Sequence, residues 1–142
     1  MRLPPDPEEK GHSPSAPEGL DGEHQIQVGL IDALEEACAE RRDPAVQRAI
    51  LDQLLEYSRV HFLSEQLLMR LHAYPAYERH VREHEHMTEQ LFDLSEHLRA
   101  GEREIGEETL RRLREELVGH IQTRDLELNN FLQRNSLEAR EG

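Results

Sequence analysis

Residues 57–87 read YSRVHFLSEQLLMRLHAYPAYERHVREHEHM, two apolar-periodic runs that meet at Ala73-Tyr74-Pro75. In the first run His61 and Glu65 stand four residues apart, and in the second His80 and His84 do. Residues i and i+4 of an α-helix lie about 40° apart around the axis and about 6 Å apart along it. Each pair can therefore present both side chains to one point. Both pairs also fall on apolar stripes: Ile50, Leu54, His61, Glu65, Leu68 in one run, and Tyr77, His80, Val81, His84, Met87, Leu91, Leu94, Leu98 in the other. Imidazoles and a carboxylate aimed into a core are costly unless paired, and metal coordination is the usual remedy. The stretch predicts two antiparallel helices that carry part of a metal site.

The same pattern extends to either side. Upstream, a helix with Asp21 as N-cap and an end near Arg41 turns His24, Val28, Ile31, Leu34 and Cys38 inward. Asp43 as N-cap and Pro44 at the first helical position open the next helix, which the Tyr74-Pro75 corner ends near His72. A third helix follows to Ala100, with Gly101 just past its end. A polar link over 102–106 leads to a fourth, whose inner positions are Leu110, Leu113, Leu117, His120, Ile121, Leu128, Phe131 and Leu132. Four amphipathic helices with short links and no strand signal predict an all-α fold. Its architecture is an up-down-up-down antiparallel four-helix bundle over residues 21–135. Residues 1–20 hold Pro4, Pro5, Pro7, Pro14 and Pro17 and little to bury, so a disordered, proline-rich tail is expected there; 136–142 form a short C-terminal tail.

Composition narrows the function. The chain of 142 residues is one domain by size, and its formal charge of −13 argues against nucleic acid or an anionic membrane as partner. Its single cysteine, Cys38, excludes an internal disulfide. With no long apolar run and no charged-then-apolar leader, a soluble, cytoplasmic protein is expected.

The outer helices add more metal-type side chains. His24 begins the first stripe, and His120 and Asp125 lie on the fourth helix. Their spacing of five puts the latter two about 140° apart on a regular α-helix, so they flank the stripe of Leu117, Ile121 and Leu128 instead of stacking. That suits two ligands serving different parts of a larger centre. One histidine in a stripe is more often an ordinary core residue than a ligand; five histidines and two carboxylates from four helices are not. Seven ligands exceed what one tetrahedral zinc takes, whereas two octahedral-type ions sharing bridging carboxylates use them all. His72 at a helix end, and His86 and His97 off the stripe, read as ordinary histidines and not as ligands.

The run His24, His61-x3-Glu65, His80-x3-His84, His120-x4-Asp125 resembles the ligand set of the hemerythrins in order, type and spacing. The companions His61-Phe62, Tyr74-Pro75 and His120-Ile121 strengthen the resemblance, which covers roughly residues 21–132. It implies a non-haem di-iron centre. His80, His84 and His120 would hold one, coordinatively full iron; His24 and His61 would hold the other, with a position open to O2. Glu65, Asp125 and a solvent-derived oxo or hydroxo bridge would join the two, and Phe62, Leu117 and Ile121 would line the O2 pocket. The implied protein is a monomer that binds O2 reversibly, for storage, delivery or local sensing, and is not an enzyme. The alternative is a redox-, O2- or NO-responsive module working with a redox or signalling partner, or a weak di-iron peroxidase or oxidase. A ferritin-like ferroxidase would bring two Glu-x-x-His motifs, and this set has none. The chain departs from its relatives at Glu23, where Gln is common, and at Glu116, where many have Trp. Glu116 stands one turn before His120 and beside Leu117, so it either borders the pocket and admits water or turns outward.

Overall fold

The computed structural model describes residues 18–101 and 105–141, with side chains described over 22–101 and 105–135. The expected N-terminal tail lies outside the described residues as far as residue 17, as do three residues of the expected link. Four rods make the bundle: α1 (Glu18–Ala39), α2 (Pro44–Leu71), α3 (Tyr77–Arg99), and a fourth made of α4 (Glu107–His120), a π-helical turn (Ile121–Asp125) and α5 (Leu126–Glu141). There is no strand among the described residues. Each helix packs on the next in sequence, and α1 also packs on α4, so the ring closes as an antiparallel bundle.

Local chemistry sets the corners. The Asp43 carboxylate accepts from Ala45 N at 3.2 Å with Pro44 in the first turn, the N-terminal device expected there. Past the end of α2, Ala73 takes a left-handed conformation (φ 52°), which returns the chain so that Tyr74 packs edge-on against Phe131 at 4.9 Å. Gly101 closes α3 at φ 76°, where a side chain would be strained. The α1 boundary differs from expectation. The helix begins at Glu18, so Asp21 lies inside it instead of capping it, and part of the stretch expected to be tail is helical. At the other end α5 runs to Glu141, through the expected C-terminal tail.

The core falls into two apolar clusters. The larger joins Ile31, Leu34, Leu51, Leu54, Phe62, Met87, Leu91, Leu113 and Leu117 near the α1–α2 end; the smaller joins Met69, Tyr74, Leu128 and Leu132. Between them lies a layer of buried ionisable groups: His61, Glu65, His80, His84, His120 and Asp125. The α1 face is turned slightly from the expected one, since Gln27 is fully buried and Val28 only half.

Candidate metal centre

All seven candidate ligands meet in this layer. Six are buried and His24 nearly so, at 11% exposure. The histidines form two groups. His80, His84 and His120 stand with ring centroids 4.5, 4.7 and 5.0 Å apart, and His24 and His61 form a separate pair at 4.9 Å. The two carboxylates lie between the groups. Glu65 sets Oε1 at 3.2 Å from His80 and 2.9 Å from His84, and Oε2 at 3.3 Å from His61. Asp125 sets Oδ1 at 3.1 Å from His80 and 3.0 Å from His120, and Oδ2 at 2.9 Å from His24. Each carboxylate therefore offers one oxygen to each histidine group, and in every contact the imidazole atom is Nε2.

The π-helical turn is what delivers Asp125. On a regular helix it would sit well around the axis from His120, as expected from the spacing of five. The i→i+5 winding of Ile121–Asp125 makes five residues close to one full turn, so the two side chains stack on one face. The expectation that they flank the stripe is thus corrected. The Thr123 hydroxyl donates to Gly119 O at 2.7 Å inside this turn, a side-chain bond of the kind that accompanies irregular helix winding.

Side chains behind the histidines fix which nitrogen faces inward. His61 Nδ1 donates to Glu23 Oε1 at 2.5 Å, His84 Nδ1 to Gln66 Oε1 at 3.2 Å, and His120 Nδ1 to Glu83 Oε1 at 2.8 Å. Glu83 is itself held by Arg124 Nε at 2.9 Å. Carboxylate or amide partners of this sort hold an imidazole in one tautomer with Nε2 free to bind a metal. Sequence reasoning noticed Glu23 only as a departure and missed Gln66 and Glu83. Their one mark in the sequence is adjacency to Glu65 and His84.

The donor atoms fit a metal better than they fit one another. Several distances suit hydrogen bonds but the angles do not: His24 Nε2, His61 Nε2, His120 Nε2, Glu65 Oε2 and both Asp125 oxygens are buried without a hydrogen-bond partner. Buried polar groups are rarely left so, and a cluster of them facing one space is the mark of a shared ligand. The ligand atoms of Glu65, His80, His84, His120 and Asp125 lie within 4.8 Å of one another, as do those of His24, His61, Glu65 and Asp125. Each set can hold a metal ion, and they share the two carboxylates.

Electrostatics follow from the same geometry. Burial pushes the His24 imidazole down, but Asp125 and Glu65 override it and hold it at about 9. His61 is held at about 10 and His80 at about 9 by the same contest. His84 contacts Glu65 but not Asp125, and burial pushes it down to about 4. Burial pushes Glu65 and Asp125 up, yet the surrounding imidazoles hold both well below the usual carboxylate range.

Of the expected O2-pocket residues, Phe62 and Leu117 are buried in the larger apolar cluster and Ile121 packs against it. Phe62 stacks on His84 at 4.0 Å, and the two line a groove of about 610 Å³ between α2 and α3. Glu116 lines a different cleft, about 510 Å³, between α3 and α4, with His120 in its wall. One Glu116 oxygen is buried without a hydrogen-bond partner, 3.7 Å from His86 Nε2. His72, His86 and His97 are exposed and take no part in the cluster.

The fold and site define a four-helix bundle whose core layer converges five imidazoles and two carboxylates able to hold metal. The Hemerythrin HHE cation binding domain family model matches residues 15–132. A bacteriohemerythrin of Methylococcus capsulatus (strain ATCC 33009 / NCIMB 11132 / Bath) is 30% identical over 101 residues, which cover 71% of this chain and 76% of that protein. The chain belongs to the hemerythrin family. No solved structure shows a significant match to it. No described helix is long and apolar enough to cross a membrane.

Proposed function

We propose that the chain holds two iron ions side by side and binds O2 reversibly at the two-histidine half, for storage, delivery or local sensing of the gas. The observation that carries this reading is the aim of Glu65 and Asp125, each with one oxygen toward His80 and its neighbours and the other toward His24 and His61. In this assignment His80, His84 and His120 would hold one ion and His24 and His61 the other, with Glu65 and Asp125 available to both. Imidazole and carboxylate donors without thiolate suit iron. The relative in Methylococcus, a bacteriohemerythrin by name, points the same way. The ions would supply reversible electron transfer to O2, which no side chain of the layer can provide.

The chain's own residues do the rest. Glu23, Gln66 and Glu83 hold three of the imidazoles with Nε2 inward. The two-histidine half offers one imidazole fewer, so it is the half that would leave room for a small ligand. Phe62, Leu117 and Ile121 keep water from the layer on its apolar side. A redox- or gas-responsive module is the second reading. It is favoured by the cleft that reaches His120, where solvent or a partner's side chain can approach the three-histidine half.

The test is metal content. The chain as purified should carry close to two irons, show the Mössbauer signature of a coupled ferric pair when oxidised, and change spectrum reversibly between argon and air once reduced. Glu65→Ala should lose the pair and His86→Ala should keep it. One iron per chain, or zinc as the cellular metal, would sink the reading.

A further inference from the structure

One turn from the ligand histidines, the core contains a polar pair with no role in fixing the metal. Gln27 follows His24 by three residues on α1, and Ser58 precedes His61 by three on α2. Because α1 and α2 are antiparallel, both stand about 4.5 Å along the bundle from the histidine pair, on the same side of it. Met87, three after His84, and Leu117, three before His120, complete this layer by the same spacing. All four are buried, and Gln27 and Ser58 are 0% exposed. The layer that roofs the candidate centre is thus apolar over the three-histidine half and polar over the two-histidine half.

The Gln27 amide is only half used. Its Nε2 donates to Ser58 Oγ at 3.0 Å, and its Oε1 is buried without a partner. Whichever way the amide is turned, one of its atoms pairs with Ser58 and the other is left over. The Gln47 amide also leaves its Oε1 unpartnered, but its Nε2 donates to Arg42 O at 2.9 Å and so ties down the α1–α2 corner. Gln27 ties down no backbone. A leucine or methionine would fill its place as Leu117 and Met87 fill theirs, with no unpartnered group in the core. A buried amide with spare hydrogen-bonding capacity is explained when something small and polar visits its free atom.

We propose that Gln27, oriented by Ser58, is a hydrogen-bonding group for the outer atom of the small ligand taken by the two-histidine half. It favours ligands whose outer atom carries lone pairs and charge. This rests on the proposed metal pair, and it makes Gln27 a specificity-determining residue and Ser58 a positioning residue.

The test uses the full-length, iron-loaded, oxidised chain and sodium azide as the probe. Iron content is measured first, then azide affinity by absorbance titration and the infrared stretch of the bound azide. Gln27→Met, close in volume and shape, should keep its iron, weaken azide about tenfold through loss of one hydrogen bond, and shift the stretch. Ser58→Ala should weaken azide less, since the amide survives but loses its orientation. Equal affinity and an unshifted stretch in Gln27→Met would overturn the proposal, as would a fall in its iron content. A lowered thermal midpoint of metal-free Gln27→Met with unchanged azide affinity would mark the pair as structural and overturn it too. Wild-type chain without paired iron would overturn both this and the proposed function, and the iron measurement alone would reveal it.

Discussion

Metal loading of the metal-free chain should expel protons, and the number follows from the layer. His24, His61 and His80 are held at about 9, about 10 and about 9 by Glu65 and Asp125. At pH 7.5 all three are almost wholly imidazolium. An imidazole must be neutral to bind metal, so loading must displace about three protons from these residues. His84, pushed down to about 4, is already neutral and releases none. Water that ionises on binding adds to the count and never subtracts from it. Linkage then requires log K for metal to rise by about three units per pH unit between pH 7 and 8.5, about 4 kcal/mol per unit. Stability of the metal-free chain runs the other way. Histidines raised above their unfolded value stabilise the fold below about pH 6.5, and that contribution is lost as pH rises through about 9 to 10. Glu65 and Asp125, held below theirs, contribute above about pH 4.5, and that is lost on acidification. His84, held below its unfolded value, costs stability as pH falls below about 6.5. The metal-free chain should therefore be most stable near pH 6, and the gap between loaded and metal-free forms should widen from pH 6 to 9. Calorimetric titration of the metal-free chain with ferrous iron under argon, in two buffers of different ionisation enthalpy, counts the protons directly. Release of one proton or fewer would show that the histidines wait neutral and that the carboxylates do not govern them.

Two further outcomes test the supports of the layer. Glu83→Gln should leave the fold intact but weaken metal binding by about 10- to 100-fold, read by competition with a chelator, because His120 Nδ1 loses a carboxylate that Arg124 holds in place. Deleting Gln122, an exposed residue of the π-helical turn, should restore α-helical winding with His120 and Asp125 four apart, and so keep both the metal and the register of Leu128. Inserting an alanine after Gln122 should instead rotate Asp125 by about 100° and abolish metal binding; metal kept by the insertion and lost by the deletion would refute this account of the turn.

The bundle was legible in the sequence because its information is local. Apolar spacing, the Asp43-Pro44 start and the Gly101 end each act within a turn or two, and each stands where expected. The candidate ligands were legible for a related reason: His61 with Glu65, and His80 with His84, share a helix face by spacing alone. The partners behind them were not. Glu83 reaches His120 on another helix, Glu23 reaches His61, and an acidic residue among 30 carries no sign of which histidine it will meet. Gln27 escaped because a polar residue beside an apolar one, Val28, reads as surface until the helix rotation is known. Asp125 was found by type, but its geometry was misjudged because a regular helix was assumed where the winding is wider.

The position of the polar layer decides how tightly metal and fold are coupled. In a small zinc-bound domain the metal stands in for a missing core, and the chain unfolds without it. Here the ionisable layer is flanked by two apolar clusters, one running from Ile31 to Leu117 and one around Met69, Tyr74, Leu128 and Leu132. Those clusters close the bundle at both ends by apolar burial alone. Without metal, the inward atoms of the layer between them meet mainly in imidazole–carboxylate contacts, several at poor angles, which bring the groups together but leave many of their lone pairs unsatisfied. The ends therefore position the seven ligands before any ion arrives, and the middle stays under-satisfied until one does. A site arranged in this way is preorganised by packing and completed by coordination. Removing metal should then loosen the layer and its π-helical turn well before it unfolds the helices, and substitutions in the flanking clusters should weaken metal binding without touching a ligand.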